Sequence, residues 1–364
     1  MATRTRELTE GAGGEAPPDA AAPAPRASEG ARTPVPAGCL PRSFWRGADG
    51  TVHTGLHPRE IAERRAAGDG VLWVDVDSSN RAQHAVLEKL LGFHPLAVED
   101  TLNPNSRVKF EEYPGYLFVI VRGVKFCEST DDPYDLDTIN LYFFLGPSWL
   151  VSVHGEGAAP VEAMIERVGR NPDLLARGPA RLMHGILDAA VDEFFPILDQ
   201  VDEFVDSLEE RVFARFDQSA LRDIFAVKRL VLSLRRHLAP QREVLNQLTN
   251  RPSELLAPAT QLYFRDVYDH VLRINDGLET YRDLLGSTLD SYLSQVSNRV
   301  SQSSKALGVI ATVTLPFVVV SGMWGMNFDR VPLSAHPYGF WVLLGVQLLI
   351  AAVILGVLRW RRLI

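Results

Sequence analysis

The sequence predicts an α+β cytoplasmic domain followed by a long α-helical stalk and two C-terminal transmembrane helices. Three observations carry that expectation. Residues 306–326 and 338–358 hold no charged residue, and roughly 20 apolar residues cross a hydrocarbon core of about 30 Å. From residue 258 onward, apolar residues recur at every third or fourth position with no strong breaker before Pro316. Between residues 39 and 160, short β-rich runs alternate with helical stretches.

Residues 1–38 are mostly Ala, Pro, Gly and Glu with no aromatic residue, too little apolar surface to offset the entropy of ordering. A flexible tail is expected. It lacks the apolar core of a signal peptide, and its GAGG lacks the Lys-Ser/Thr of a phosphate loop. The net charge of −8 argues against a nucleic-acid partner and for cations. Cys39 and Cys127 form no CxxC pair, so neither a disulfide framework nor a thiolate zinc site is expected.

In 39–160, "VLWVDVD", "YLFVIVRGV", "INLYFFLG" and "WLVSVHG" read as strands and "RAQHAVLEKLLG" as a helix. No nucleotide fingerprint or triad signature appears, and no enzyme is expected. Residues 161–257 read as an acidic helical hairpin region, with breaks near Pro196, Phe216, Pro240 and Pro252. One segment there carries Asp188, Asp192, Glu193, Asp199, Asp202, Glu203, Asp206, Glu209 and Glu210. Such a run suits either a solvated helix face or a surface that concentrates divalent cations.

Residues 258–326 read as one rod, the stalk continuing into the first span, on the order of 100 Å long. Its apolar stripe is Phe264, Val267, Val271, Ile274, Leu278, Tyr281, Leu285, Leu289, Tyr292 and Val296. Asp269, Asp276, Asp283 and Asp290 recur every seven residues, facing the way of Ser301. Continuing that face gives Ser304, Leu307, Ala311, Leu315, Val318 and Gly322, a lane of small or apolar residues. In a symmetric oligomer with the lane inward, Asp290 forms a carboxylate ring at a pore entrance. Heptad aspartates also solvate grooves between packed helices, and both readings stand for Asp269, Asp276 and Asp283.

An outer loop at 327–337 and a second span at 338–358 follow, with Trp341 and Trp360 placed for aromatic belts. The tail 359–364 is basic through Arg359, Arg361 and Arg362, and Lys305 precedes the first span. The positive-inside rule therefore puts both termini in the cytoplasm of a multi-pass inner-membrane protein.

The segment "YLSQVSNRVSQSSKALGVIATVTLPFVVVSGMWGMNF" resembles the CorA family of magnesium transporters, which carries Gly-Met-Asn at the end of the first of two C-terminal spans. "FHPLAVEDTLNPNSRVKFEEY" and "YFRDVYDHV" extend the likeness over most of the chain from about residue 92. The resemblance implies a funnel-shaped homopentamer in the lipid bilayer, with the first span lining the pore. It implies a selectivity motif at Gly325, Met326 and Asn327, the Asn amide oxygens facing a hydrated cation. Mg²⁺ gives up its inner waters reluctantly, and a neutral ring suits the hydrated ion. It also implies a regulatory Mg²⁺ site, with Asp100 facing Asp266 of a neighbouring copy and Asp269 and His270 nearby. Trp324 stands where the family usually has Tyr, and Leu333 where it often has Glu.

The function expected is a potential-driven Mg²⁺ channel, with Co²⁺ and Ni²⁺ as further candidate ions, closed by cytosolic Mg²⁺. A Zn²⁺ or other transition-metal transporter on the same scaffold is the alternative. A non-conducting membrane-anchored scaffold or sensor is a third.

Overall fold

The structure, a computed structural model, describes residues 40–127, 134–214, 217–326, 332–333 and 336–361. The expectations for the tail 1–38, the break near Phe216, Asn327 and Arg362 lie outside those residues.

The chain opens with β1 (Arg42–Gly47), β2 (Val52–Thr54), α1 (Pro58–Ala67) and β3 (Gly70–Asp77). Helices α2 (Arg81–Lys89) and α3 (Pro95–Leu102) follow, then β4 (Lys109–Tyr113), β5 (Tyr116–Phe126), β6 (Leu136–Leu145) and β7 (Trp149–His154). The seven strands form one sheet in the order β2-β1-β3-β7-β6-β5-β4. Only β3 and β7 run parallel, with Trp73 opposite Leu150 and Val74 opposite Val151; the other neighbours are antiparallel.

Side-chain alternation sends the strands to two cores. Phe118, Ile120, Tyr142 and Phe144 pack with Ile61, Leu87 and Val98 of α1 to α3. Leu117, Val119, Val121, Leu141 and Phe143 face the helices that follow β7. Burial on both faces is why these strands read as continuous apolar runs. Strands β1, β2 and β4 are not among the runs read from the sequence. Only β1 carries a clear alternation, and β4 is "KFEEY", half-buried at the sheet edge.

Helices α4 (Ala159–Arg170), α5 (Pro179–Asp192), α6 (Phe194–Ala214) and α7 (Gln218–Asn250) lead to α8 (Pro258–Trp324) and α9 (Gly339–Trp360). Pro240 does not break the chain as expected but lies inside α7. Leu234, Leu238, Val244 and Leu245 stay buried on either side of it, and Gln241 Nε2 donates to the Arg122 carbonyl of β5 at 2.7 Å. Packing there outweighs the lost hydrogen bond. Pro196 sits in the first turn of α6, where its missing N–H costs nothing, so the break falls at Glu193.

Helix α8 is continuous over 67 residues through Pro316, close to 100 Å. Phe264, Val267, Val271, Ile274, Leu278, Leu285 and Tyr292 are buried against α5, α6 and α7, and Tyr281, Leu289 and Val296 are half-buried, completing the expected stripe. Buried Thr288 joins it, donating from Oγ1 to Glu209 at 3.1 Å.

Candidate functional site

Two regions carry chemistry. The first is the distal part of α8 with α9, both long and apolar enough to cross a membrane. Within the apolar window of α8 no residue is buried, and Leu307 and Leu315 are 68% and 64% exposed. An apolar surface of this extent needs lipid or other copies of the chain to cover it.

Helix α9 covers one side of α8, where Val309, Val313, Pro316, Phe317, Val320 and Trp324 are half-buried. At 3.6 residues per turn, the lane of Ser304, Leu307, Ala311, Leu315, Val318 and Gly322 lies on the opposite side, and all of it is exposed. Ser301 and Asp290 are exposed as well, as are Asp269, Asp276 and Asp283. The helix ends at Trp324, and the Gly325 N–H donates to the Ser321 carbonyl at 3.0 Å. Met326 follows, exposed, its N–H donating to the Met323 carbonyl at 3.3 Å. Beyond it, Leu333 has a φ of +65°, unusual for a side chain branched at Cγ, and Gly339 leaves room for its carbonyl where any Cβ would collide.

The second region lies where α5 crosses α8. Asp188 and Asp192, one turn apart on α5, meet His270 of α8 with all three ligand atoms within 4.8 Å of one another. His270 Nδ1 stands 3.6 Å from Asp192 Oδ1 and has no hydrogen-bond partner although that nitrogen is buried. The Phe195 ring meets the imidazole edge-on, 5.6 Å between centroids. Burial, with the nearby charge of Asp266, holds the Asp188 carboxyl above its ordinary range. Burial, with the charge of Asp188, does the same for Asp192. Two carboxylates that resist ionising side by side, beside an orphaned ring nitrogen, are what a divalent cation would relieve.

Of the residues expected at a metal site, the chain brings His270 into this cluster, with Asp266 one turn before it on α8 and close enough to act on both carboxylates. Asp269 is exposed. Asp100, near the end of α3, pairs with Lys109 Nζ at 2.7 Å and accepts from Ser106 Oγ at 3.2 Å. Asp188 and Asp192 were legible only as part of an acidic face. Their spacing of four, matched by Asp266 and His270, was the available signal.

The family model described as CorA-like Mg2+ transporter protein matches residues 68–360. The cobalt/magnesium transport protein CorA of Thermotoga maritima is 31% identical over 285 residues, covering 77% of this chain and 80% of that one. Among solved structures, the CorA magnesium transporter of Methanocaldococcus jannaschii superposes with a TM-score of 0.75 at 20% identity, over 88% of this chain and 97% of that one. The full-length CmaX protein gives 0.67 at 21% identity, with the same coverage.

Proposed function

Because the chain belongs to the CorA-like Mg2+ transporter family, we propose that it forms a homopentameric Mg²⁺ channel lined by α8. The observation that carries this reading is the exposed lane on α8, turned away from α9, which leaves α9 on the lipid side when copies of α8 gather around an axis. In that arrangement Asp290 rings the cytoplasmic mouth, Leu307 and Leu315 form apolar constrictions, and Gly325, Met326 and Asn327 form the outer ring for a hydrated ion. Both termini face the cytoplasm. A doubly charged ion gains about 4.6 kcal/mol per 100 mV of membrane potential, so inward movement needs no nucleotide.

The regulatory Mg²⁺ fits Asp188, Asp192 and His270, whose orphaned nitrogen and raised carboxyls favour a bound cation. Asp100 and Asp269, with Asp266 of a neighbouring copy, would add charge that the same ions screen. Bound Mg²⁺ offsets repulsion among these carboxylates and favours the closed assembly; its loss loosens it. The imidazole in the set also favours Co²⁺, Ni²⁺ and Zn²⁺, which keeps transition-metal transport as a second reading.

Uptake of Mg²⁺, Co²⁺, Ni²⁺ and Zn²⁺ into proteoliposomes tests the proposal. Asn327→Ala is expected to reduce Mg²⁺ uptake at least tenfold; unchanged uptake would remove Asn327 from the selectivity ring. Zn²⁺ uptake that Mg²⁺ fails to inhibit would favour the second reading.

A further inference from the structure

Between Trp341 and Arg359 the second span has one polar side chain, Gln347. It is 7% exposed, yet its Nε2 has no hydrogen-bond partner. An amide donor left unmade in hydrocarbon is costly, and its burial against α8 puts it where an acceptor could serve it.

Helix α8 has such an acceptor. Pro316 lacks an N–H, so the Thr312 carbonyl has lost the donor an α-helix would give it. The Thr312 hydroxyl is engaged elsewhere, donating to the Gly308 carbonyl at 2.7 Å.

Gln347 and the gap at Pro316 share a face and a depth. On α9 the side covered by α8 runs Gly339, Leu343, Gln347, Ala351 and Ile354, all buried or half-buried. On α8 the covered side runs Trp324, Val320, Pro316, Val313 and Val309 in the opposite direction, likewise in steps of three or four. Pro316 is eight residues below the end of α8, and Gln347 eight residues below the start of α9. Both therefore lie about 12 Å beneath the connecting loop.

We infer that Gln347 is a positioning residue whose side-chain amide donates to the Thr312 carbonyl when α8 bends about Pro316. The bond is unmade in the conformation described above. Made, it latches α9 to α8 and holds the bend; the latch thus has two states in which the same donor is spent or spare. This inference rests on reading both helices as the membrane spans of a transporter.

A double-mutant cycle on the full-length protein tests it, with Gln347→Leu, Pro316→Ala and the pair in proteoliposomes. Gln347→Leu is expected to change the Mg²⁺ uptake rate severalfold in the native background. In the Pro316→Ala background, where a backbone N–H at position 316 already serves Thr312, it should change the rate less than twofold. A purely packing role for Gln347 would show in both backgrounds, so additive effects, or none from Gln347→Leu, overturn the latch. The melting temperature in lipid nanodiscs separates this from the transport reading. If the parent protein moves no ion but the melting temperatures are non-additive, the latch stands and the transport reading falls; additive temperatures remove the latch.

Discussion

At the scale of single residues, Asp75 is 1% exposed at the heart of the sheet and is met by three donors. Arg42 Nη2 donates to it at 2.6 Å, Ser152 Oγ at 2.6 Å, and His154 Nε2 lies 3.2 Å away. His154 Nδ1 faces the Gly155 carbonyl at 2.7 Å, so both ring nitrogens look at acceptors and the imidazolium form is favoured. Although burial opposes its charge, the Asp75 hydrogen bond and charge raise the His154 pKa above 6.5. Burial opposes the Asp75 charge too, but the same partners hold its pKa below 3.8. A raised histidine stabilises the fold fully below its unfolded pKa and loses that contribution as pH rises through the folded one. The melting temperature should therefore fall on the alkaline side of pH 6.5, and His154→Gln should flatten that slope. Asp75→Ala, which strands buried donors, should cost about 3–5 kcal/mol in denaturant unfolding.

The α5 cluster makes a second prediction at this scale. Asp188→Asn or His270→Ala should raise the Mg²⁺ or Co²⁺ concentration needed for protection against proteolysis by about tenfold or more, by analogy with the cost of disturbing metal-site residues. Because both carboxyls sit above their ordinary range, protons should compete with the ion more effectively than at ordinary carboxylates, and protection should weaken as the pH falls. Protection unchanged in both variants would take the ion away from this site.

Among the elements, α8 depends on its stripe. Ile274 is fully buried where α8 meets the preceding helices, and Ile274→Ala should destabilise the cytoplasmic part by about 2–5 kcal/mol. The exposed Asp276, two residues on, should tolerate Ala with under about 0.5 kcal/mol of change. Chemical denaturation of the two variants side by side checks the contrast. This helix was the most legible element in the sequence, since ten apolar positions at three- and four-residue spacing admit one face and no strand pattern survives that length. Pro240 shows the limit of local reading: a proline signals a break, and only the long-range burial of Leu238 and Val244 reveals why α7 continues. Likewise "KFEEY" of β4 has no apolar alternation, and its pairing with β5 supplies what its own residues do not.

For the whole molecule, the legible part was whatever one chain decides alone. The candidate cluster was hidden because Asp188 and Asp192 lie 82 and 78 residues before His270, brought together by a helix crossing that no spacing rule encodes. The predicted lane on α8 was legible as a face, because helical periodicity is local, and its position opposite α9 emerged only from packing. Electrostatics belongs to this scale as well. With a net charge of −8 and exposed acids along α8, the molecule should gather cations at its surface before any reach the proposed pore. Asp290→Asn is expected to slow Mg²⁺ uptake at low ionic strength and to matter progressively less as the Debye length falls from about 30 Å at 0.01 M to about 8 Å at 0.15 M. Equal loss at both salt concentrations would assign Asp290 a contact role instead.

An unbroken α8 also behaves as a lever. From Pro316 to His270 the rod measures roughly 70 Å, so a tilt of about 3° at the membrane carries the imidazole roughly 4 Å sideways. At the proposed site, a cation held at about 2.1 Å by His270 would not survive a displacement of that size relative to its other ligands. Angular changes too small to disturb packing among the apolar side chains at one end would thus be magnified into the making or breaking of the proposed coordination bond at the other.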